Sequence, residues 1–149
     1  MSSQLVANHT DDVEVYHGDE ICRQKSRQLL REISLPEGLL PLENFVEVGY
    51  NRTTGFAWLK QKNKKEHKFR LISRNVMYDT EVTAFVEERR LKRLTGVKAK
   101  ELMVWLSISD IYIDNPSSGK ITFSGPVGIT RSFPTLAFDL EEENNGEKK

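Results

Sequence analysis

Apolar and small side chains recur at helical spacing in one segment near the beginning of the chain. Charged and polar residues occupy the positions between them, so one side of a helix would be apolar. Asp19 stands where a carboxylate favours a helix N-terminus, and Pro36 and Gly38 stand where a helix would stop. The pattern predicts one amphipathic helix over about Asp19–Ile33. Its apolar stripe consists of Cys22, Ser26, Leu29, Leu30 and Ile33.

From residue 45 onward the apolar period shortens to two, which is the repeat of a β-strand with one buried face. Phe45–Tyr50 and Phe56–Lys60 flank a turn with Asn51 and Gly55, two residues suited to unusual backbone angles, and this predicts a β-hairpin. Other short or alternating apolar runs predict further strands. They lie near residues 69–71, 76–78, 81–87, 91–94, 100–113, 121–123, 127–129 and 136–138.

The longest predicted strand, about Lys100–Ile113, changes the side on which its apolar residues lie. Leu102, Val104, Leu106 and Ile108 would share one face, with Met103 and Trp105 on the other. From Ile111 and Ile113 onward the main apolar positions change from even to odd residue numbers. Side chains alternate strictly along a flat strand, so a bulge or sharp bend is expected near Asp110. Asp110 also has a functional interpretation, as a perturbed carboxylate inside a barrel. The bulge itself, or an outward-facing position, is the simpler interpretation.

The number of elements predicts a mainly β domain. Seven to nine short strands follow one helix, and 149 residues match about one domain. One helix cannot supply the crossovers of a parallel sheet, so an antiparallel barrel or sandwich is expected. Residues 1–18 are predicted to be a flexible acidic arm, residues 19–140 a single helix-plus-β domain, and residues 141–149 an acidic disordered tail.

Charge is segregated along the chain, although 22 Lys and Arg balance 22 Asp and Glu. Residues 1–20 contain five acidic and no basic side chains, whereas residues 60–100 contain thirteen basic and five acidic ones. The overall balance argues against a globally basic nucleic-acid binder. No apolar run approaches the roughly 20 residues of a membrane-spanning helix. No secretory signal is visible either, so a cytoplasmic location is expected.

Common catalytic and cofactor-binding motifs are missing from the sequence. It contains no nucleophile elbow, phosphate-binding loop, zinc-protease motif or dinucleotide fingerprint. The three histidines, His9, His17 and His67, lie in separate polar stretches, and Cys22 lies in the helix stripe. Exposed histidines and a buried structural thiol are therefore the simpler interpretations. The single cysteine also excludes an intramolecular disulfide or a Cys-based zinc site, and we predict no catalytic residue, metal or cofactor.

Two groups of residues are candidates for ligand binding. Large side chains could line the interior of a barrel, although an interior filled by side chains is the simpler expectation. Basic residues of two connections could form one anion-binding rim if both lie at the same end, although solvated hairpin tips are the simpler expectation. No aromatic residues alternate with these lysines, so no specific nucleic acid is predicted. The interior candidates are Trp58, Tyr78, Phe85, Met103 and Trp105, and the rim candidates are Lys62, Lys64, Lys65, Arg89 and Arg90.

Several short motifs follow one another along the chain: Leu35–Pro41, Tyr50–Leu59, Val76–Tyr78, Leu94–Glu101, Lys120–Phe123 and Ser132–Pro134. In this order they resemble the plant family called "domain of unknown function 538". The resemblance covers about residues 19–138 and implies a helix followed by a closed, Greek-key-like β-barrel with partial likeness to lipocalins. It also implies a plant source. Stress-associated roles, a likeness to bactericidal/permeability-increasing lipid binders and a part in chlorophyll breakdown have been suggested for the family, without agreed catalytic residues.

These observations favour a non-enzymatic binder of a small apolar or amphipathic ligand, lipid-like or pigment-like, held in the barrel or at its rim. A lipid-like small molecule and an anionic surface are the expected partners. The first alternative is a hydrolase of a chlorophyll-like ester, which needs a base beside a nucleophile among His17, His67 and Cys22. The second is a regulatory module that binds a partner through its charged surfaces.

Overall fold

The computed structural model describes residues 13–140 of the chain. In this part the elements are one helix and ten strands, joined by loops and three short 3₁₀ turns. The helix is α1 (Asp19–Glu32). The strands are β1 (Val13–His17), β2 (Phe45–Asn51), β3 (Phe56–Gln61), β4 (Lys65–Phe69), β5 (Arg74–Glu87), β6 (Arg90–Glu101), β7 (Val104–Ser107), β8 (Asp110–Tyr112), β9 (Lys120–Ser124) and β10 (Thr130–Pro134). The 3₁₀ turns are Arg70–Ile72, Pro116–Ser118 and Thr135–Phe138.

Helix α1 confirms the predicted amphipathic helix to within one residue. Cys22, Ser26 and Leu30 of the predicted stripe are buried and face the core. The helix packs mainly on β2 and β1, and the Asp19 carboxylate accepts a hydrogen bond from the backbone N–H of Phe45 at 3.0 Å. The first residue of the helix is therefore tied to the first residue of β2.

We expect the Asp19 carboxylate to make a small, pH-dependent contribution to stability. Hydrogen bonds from Arg23 and from the Phe45 N–H lower the pKa of Asp19. This contribution is therefore complete above the unfolded pKa of about 3.9 and is lost as the pH falls through the lower folded pKa. Because the side chain is 44% exposed, Asp19→Asn should cost no more than about 1 kcal/mol at neutral pH.

Urea unfolding at neutral and at strongly acidic pH measures this contribution. The difference between wild type and Asp19→Asn should vanish in acid, because asparagine keeps an oxygen that can accept the Phe45 N–H. Asp19→Ala removes that acceptor as well and should remain less stable at both pH values. An equal loss at both pH values in Asp19→Asn would contradict the assignment.

The strands form one antiparallel sheet with two free ends. Their order is β1-β2-β3-β5-β6-β8-β9-β10, with β4 added beside β5 and β7 beside β6. Within residues 13–140, β1 pairs only with β2 and β10 only with β9. The mainly β antiparallel prediction is confirmed, but the closed or nearly closed barrel, Greek-key-like and partly lipocalin-like, is wrong for this sheet.

The core explains how an open sheet can bury its apolar face. Side chains of α1 and of the segment 33–44, among them Leu30 and Leu39, belong to the same buried cluster as Val48 of β2 and Ile121 of β9. One buried cluster thus joins the helix and this segment to apolar residues of strands near both ends of the order. Burial, rather than pairing of the first strand with the last, completes the core.

The two longest strands each pair with different neighbours along their length. The second half of β5 pairs with β3 and its first half pairs with β4. The first residues of β6 pair with β8 and its last four pair with β7. Register irregularities between β5 and β6 near Tyr78–Thr83 accompany this branching. Such irregularities bend a strand, so β4 and β7 lie on the part of the sheet beyond the bend.

The predicted strand over about Lys100–Ile113 is wrong, because the chain reverses within it. Glu101 pairs with Val104, so Leu102 and Met103 form a two-residue turn between β6 and β7. The predicted interruption near Ser109 and Asp110 is present as the gap between β7 and β8. The turn escaped prediction because two-residue turns usually contain Asn-Gly or a similar pair, and Leu-Met continues the apolar pattern.

Other elements agree in part with the sequence predictions. The β2–β3 hairpin is confirmed, and the Asn51 side chain accepts hydrogen bonds from two backbone N–H groups of its turn. Strand β1 lies in the segment that was predicted to be a flexible arm. The last two predicted strands are wrong, since residues 130–134 form β10 and residues 135–138 form a 3₁₀ turn. The remaining arm residues and the acidic tail lie outside the described residues. Within the described part, no helix is long and apolar enough to cross a bilayer.

Candidate functional site

An apolar cavity of about 260 Å³ lies between the β6–β7 hairpin, the β9–β10 connection and the beginning of β5. It is partly open to solvent. Its walls are mostly aliphatic and aromatic, with a few charged groups. The residues around it are Ile72, Arg74, Val76, Ala99, Lys100, Glu101, Trp105, Leu106, Ser107, Ile108, Phe123, Gly125, Pro126, Val127, Ile129, Arg131, Phe133 and Phe138.

An aromatic cluster forms one wall of this cavity. The Phe138 ring, 1% exposed, lies with its centroid 4.7 Å from that of Phe69 and 5.2 Å from that of Phe123. Phe133 completes the cluster at 6.3 Å from Phe138 and 5.8 Å from Phe123. Because the rings hold one another in place, this wall should be rigid, and a rigid apolar wall is a suitable surface for an apolar ligand.

Charged side chains gather at the edge of the cavity around one carboxylate. Glu101 Oε1 accepts a hydrogen bond from Arg74 at 2.7 Å, and Oε2 accepts one from Arg131 at 3.1 Å. The ammonium group of Lys100 lies 5.6 Å from the centre of the Trp105 ring. Three cations against one carboxylate leave this edge with a net positive charge, which favours an anionic group nearby.

The turn beside this edge has an unusual composition. Leu102 and Met103 have φ angles of 50° and 73°, and their side chains are 90% and 83% exposed. Two positive φ values identify a type I′ turn, a conformation that Asn-Gly adopts easily. For other residues the left-handed conformation costs roughly 1–2 kcal/mol each. The backbone of this turn is therefore strained, and its two side chains gain no burial against the rest of the described chain.

A second, broader depression of about 880 Å³ lies between α1, the segment 37–43, β4 and residues 136–140. Its lining includes the charged side chains Arg23, Arg27, Glu37, Glu43 and Lys65. Lys65 forms an ion pair with Glu43 at 2.6 Å. Ligand pockets are usually mostly apolar with a few placed polar groups, so the smaller apolar cavity is the better candidate.

The five predicted interior residues, four aromatics and one methionine, do not meet in one place. Trp105 lines the apolar cavity, whereas Met103 lies at the exposed tip of the β6–β7 turn. Tyr78 is buried in the core, where its hydroxyl donates a hydrogen bond to the carbonyl of Leu39 at 2.9 Å. Burial raises the pKa of the Tyr78 hydroxyl, so it remains a protonated donor.

Trp58 and Phe85 belong to another aromatic group, on the face of the sheet opposite the core. Leu59, the neighbour of Trp58 in β3, points into the core, so alternation turns Trp58 to the other face. There its ring covers Gly49, and its Nε1 donates to Glu47 at 2.6 Å. Phe85 lies on the same face, where its ring centroid is 5.1 Å from that of Phe56.

The predicted basic rim divides into two separate groups. Lys62, Lys64 and Lys65 follow β3 near the middle of β5, since Lys65 pairs with Tyr78. Arg89 and Arg90 lie beyond the far end of β5, at the turn into β6 and the start of β6, past the bend in β5. Arg90 forms an ion pair with Asp110 at 3.3 Å and lies over the Tyr112 ring. The two groups therefore form no common rim.

The candidates for a hydrolase occupy different surroundings. His17 hydrogen-bonds with Glu47 at 3.1 Å, and His67 packs edge-on against Phe69. The Cys22 thiol is buried and donates to the Tyr16 carbonyl, and burial raises its pKa. A raised pKa leaves less of the reactive thiolate at neutral pH. His9 lies outside the described residues. Residues 13–140 contain no cluster of three or more His, Cys, Asp or Glu side chains that could hold a metal ion.

Sequence reasoning missed most of the residues around the cavity. Ala99, Ile108, Phe123, Phe133 and Phe138 carry the same apolar signal as any core residue, and only the fold shows that they border an open space. The missed signal was the density of apolar residues at 102–106, which looked like the centre of a long strand. An unusually apolar turn could not be separated from a strand by periodicity alone.

The fold and the cavity define a class of protein: mainly β, with one helix on an antiparallel sheet and an apolar cavity between strand ends. The chain matches the family model described as "Protein of unknown function, DUF538" over residues 26–139. This match covers more than half of the chain, and the protein therefore belongs to that family, as the motifs predicted. No curated protein and no solved structure was found to match it.

Proposed function

We propose that this protein is a non-enzymatic binder of a small amphipathic ligand, and that the cavity beside the β6–β7 hairpin holds the apolar part of that ligand. The observation that carries the proposal is the cavity itself, with apolar walls and a cluster of charges only at its edge. Small-molecule sites typically combine such walls with a few polar groups that fix the ligand's orientation.

Cavity size limits the apolar part of the ligand. An engineered apolar cavity of roughly 150 Å³ binds benzene, and pockets for drug-sized molecules start near about 300 Å³. A cavity of about 260 Å³ suits one substituted ring, a small fused ring or a segment of an acyl chain. A complete pigment macrocycle is too large, so a pigment-like ligand could place only a side chain inside.

The charges at the edge favour an anionic head group. Arg74 and Arg131 share the single carboxylate of Glu101, and Lys100, which also lines the cavity, lies over the Trp105 ring. Arginine recognises carboxylate and phosphate groups well because its planar donors match their oxygens. A fatty acid or a small apolar phosphate ester would place its apolar part in the cavity and its anion beside these cations.

Filling the cavity should abolish binding of an amphipathic probe. Ala99 is a half-buried residue of the cavity wall, so Ala99→Phe should lower the affinity for anilinonaphthalene sulfonate at least tenfold, about 1.4 kcal/mol. Fluorescence titration measures the affinity, and a neutral phenylnaphthylamine should bind wild type more weakly because it lacks the anion. A competition series of fatty acids then gives the preferred chain length.

Two further variants separate cavity filling from general effects. Thr53→Phe adds the same ring to the exposed β2–β3 turn and should leave the affinity unchanged. Ser107→Phe adds a ring to the cavity wall from β7, and it replaces Ala99→Phe in the test if that variant does not fold. Unchanged dye affinity in folded Ala99→Phe and Ser107→Phe would contradict this proposal. The hydrolase and the regulatory module remain predictions from the sequence.

A further inference from the structure

Exposed apolar side chains concentrate at one end of the molecule, on the segments that border the cavity. The β6–β7 hairpin and the β9–β10 connection both belong to this end, because each contributes residues to the cavity wall. Of the eleven large apolar residues exposed in residues 13–140, five lie on these two segments. They are Leu102, Met103, Val104, Val127 and Ile129. Leu71 and Leu136, on the 3₁₀ turns, line the second depression instead.

We call this region the apolar end, defined as residues 98–107 and 125–131. Its exposed apolar groups are tips of separate turns rather than one flat patch. Leu102 is 90% exposed, Met103 83%, Val127 80% and Val104 55%. Single exposed apolar residues are ordinary on protein surfaces, but a group of this size around a cavity marks an interaction site.

Charge at the apolar end differs from that of the whole chain. These residues contain three Lys or Arg against Glu101, a net charge of +2, whereas the chain as a whole is neutral. Glu101 is already bound by Arg74 and Arg131. Lys98 and Lys100 of β6 lie four and two residues before Leu102, so positive charge lies on the same hairpin as the apolar tips.

We propose that the apolar end docks onto a lipid bilayer that contains anionic lipids. Leu102, Met103 and Val127 insert at the level of the upper acyl chains, and the neighbouring lysine and arginine side chains remain among the phosphates. Interfacial membrane binders show this combination of exposed apolar groups and basic residues. A flat partner protein fits less well, because it could not bury several separate projecting tips at once.

The β6–β7 turn supports an external role for its side chains. Its backbone conformation suits asparagine and glycine, yet it contains leucine and methionine, which are almost fully exposed. Neither the turn geometry nor the core of this chain requires them. A bilayer supplies an apolar surrounding for both side chains.

Co-sedimentation with lipid vesicles tests the proposal. The full chain should bind vesicles of mixed phosphatidylglycerol and phosphatidylcholine, and bind pure phosphatidylcholine at least tenfold more weakly. The double variant L102N/M103G should lose at least tenfold in binding to the anionic vesicles. Because Asn-Gly suits the type I′ turn, this variant should melt at the same or a higher temperature than wild type. A loss of binding then cannot be attributed to unfolding.

A matched control removes exposed apolar side chains elsewhere. Ile21 of α1 and Val46 of β2 are 37% and 42% exposed, and I21Q/V46T should bind vesicles like wild type. Absent binding by wild type, or equal binding by wild type and L102N/M103G, would overturn the proposal. Self-association of wild type that the turn variant abolishes, without vesicle binding, would also overturn it and identify an interface between copies.

Docking goes beyond the ligand binding proposed above, and the two can fail independently. Ala99→Phe fills the cavity without altering the exposed tips and should bind anionic vesicles like wild type. L102N/M103G alters the tips without filling the cavity and should bind the soluble dye like wild type. Vesicle binding that disappears in Ala99→Phe but persists in L102N/M103G would contradict docking through the tips.

Discussion

Replacing Gly49 with alanine should lower the free energy of unfolding by about 3 kcal/mol or more. The indole ring of Trp58 lies so close to Gly49 that an added Cβ would sit 2.1 Å from its Cζ2 atom. The ring cannot easily move away, because Trp58 is 1% exposed and its Nε1 is bound to Glu47. Urea denaturation of wild type and variant measures the loss.

A double-mutant cycle shows whether this contact is the cause. In a Trp58→Leu background the ring is gone, and Gly49→Ala should then be neutral or stabilising by up to about 1 kcal/mol, because glycine is unfavourable within a strand. A change of sign between the two backgrounds is the expected result. The same loss in both backgrounds would mean that the backbone at Gly49, and not the indole, excludes a side chain.

Replacing Phe138 with alanine should cost about 3–5 kcal/mol of stability. Its ring contacts those of Phe69, Phe123 and Phe133, and the 3₁₀ turn that contains it closes one wall of the cavity. Removing the ring leaves a space that the surrounding strands can fill only in part. Thermal and urea unfolding should both show the loss.

Leu136 supplies a matched control for Phe138. It lies in the same 3₁₀ turn but is 67% exposed, so Leu136→Ala should change stability by no more than about 0.5 kcal/mol. If Phe138→Ala remains folded at low temperature, its enlarged cavity should prefer longer fatty acids than wild type does. A loss in Phe138→Ala as small as that in Leu136→Ala would show that the last turn does not contribute to the core.

Sequence patterns predicted the elements that depend only on residues close together in the chain. Helix α1 was predictable because its apolar stripe, its first-turn carboxylates and the following proline and glycine all act within one segment. The β2–β3 hairpin was predictable because Asn51 and Gly55 suit a turn. The Asn51 side chain accepts a hydrogen bond from the Thr53 N–H, and Gly55 adopts a φ of 83°. The family followed from six short motifs in order, and the match over residues 26–139 confirms it.

Features that depend on residues distant in the chain could not be predicted in this way. The open sheet could not be told from a closed one, because closure depends on whether β1 and β10 meet. Trp58 and Trp105 look alike in sequence, yet Trp58 covers Gly49 on the face away from the core and Trp105 lines the cavity. Alternation assigns residues to two faces but does not say what covers each face.

Apolar period, turn residues and short motifs were enough to predict a mainly β chain with one amphipathic helix, a hairpin at residues 45–61 and membership of a family. The folded chain alone shows that Arg74, Glu101 and Arg131 lie together and that an apolar cavity lies beside them. It also showed that Leu102 and Met103 form an exposed turn rather than the middle of a strand. The physical reason is that burial and charge pairing depend on neighbours distant in the chain, whereas the apolar period and the turn composition depend only on residues close in sequence.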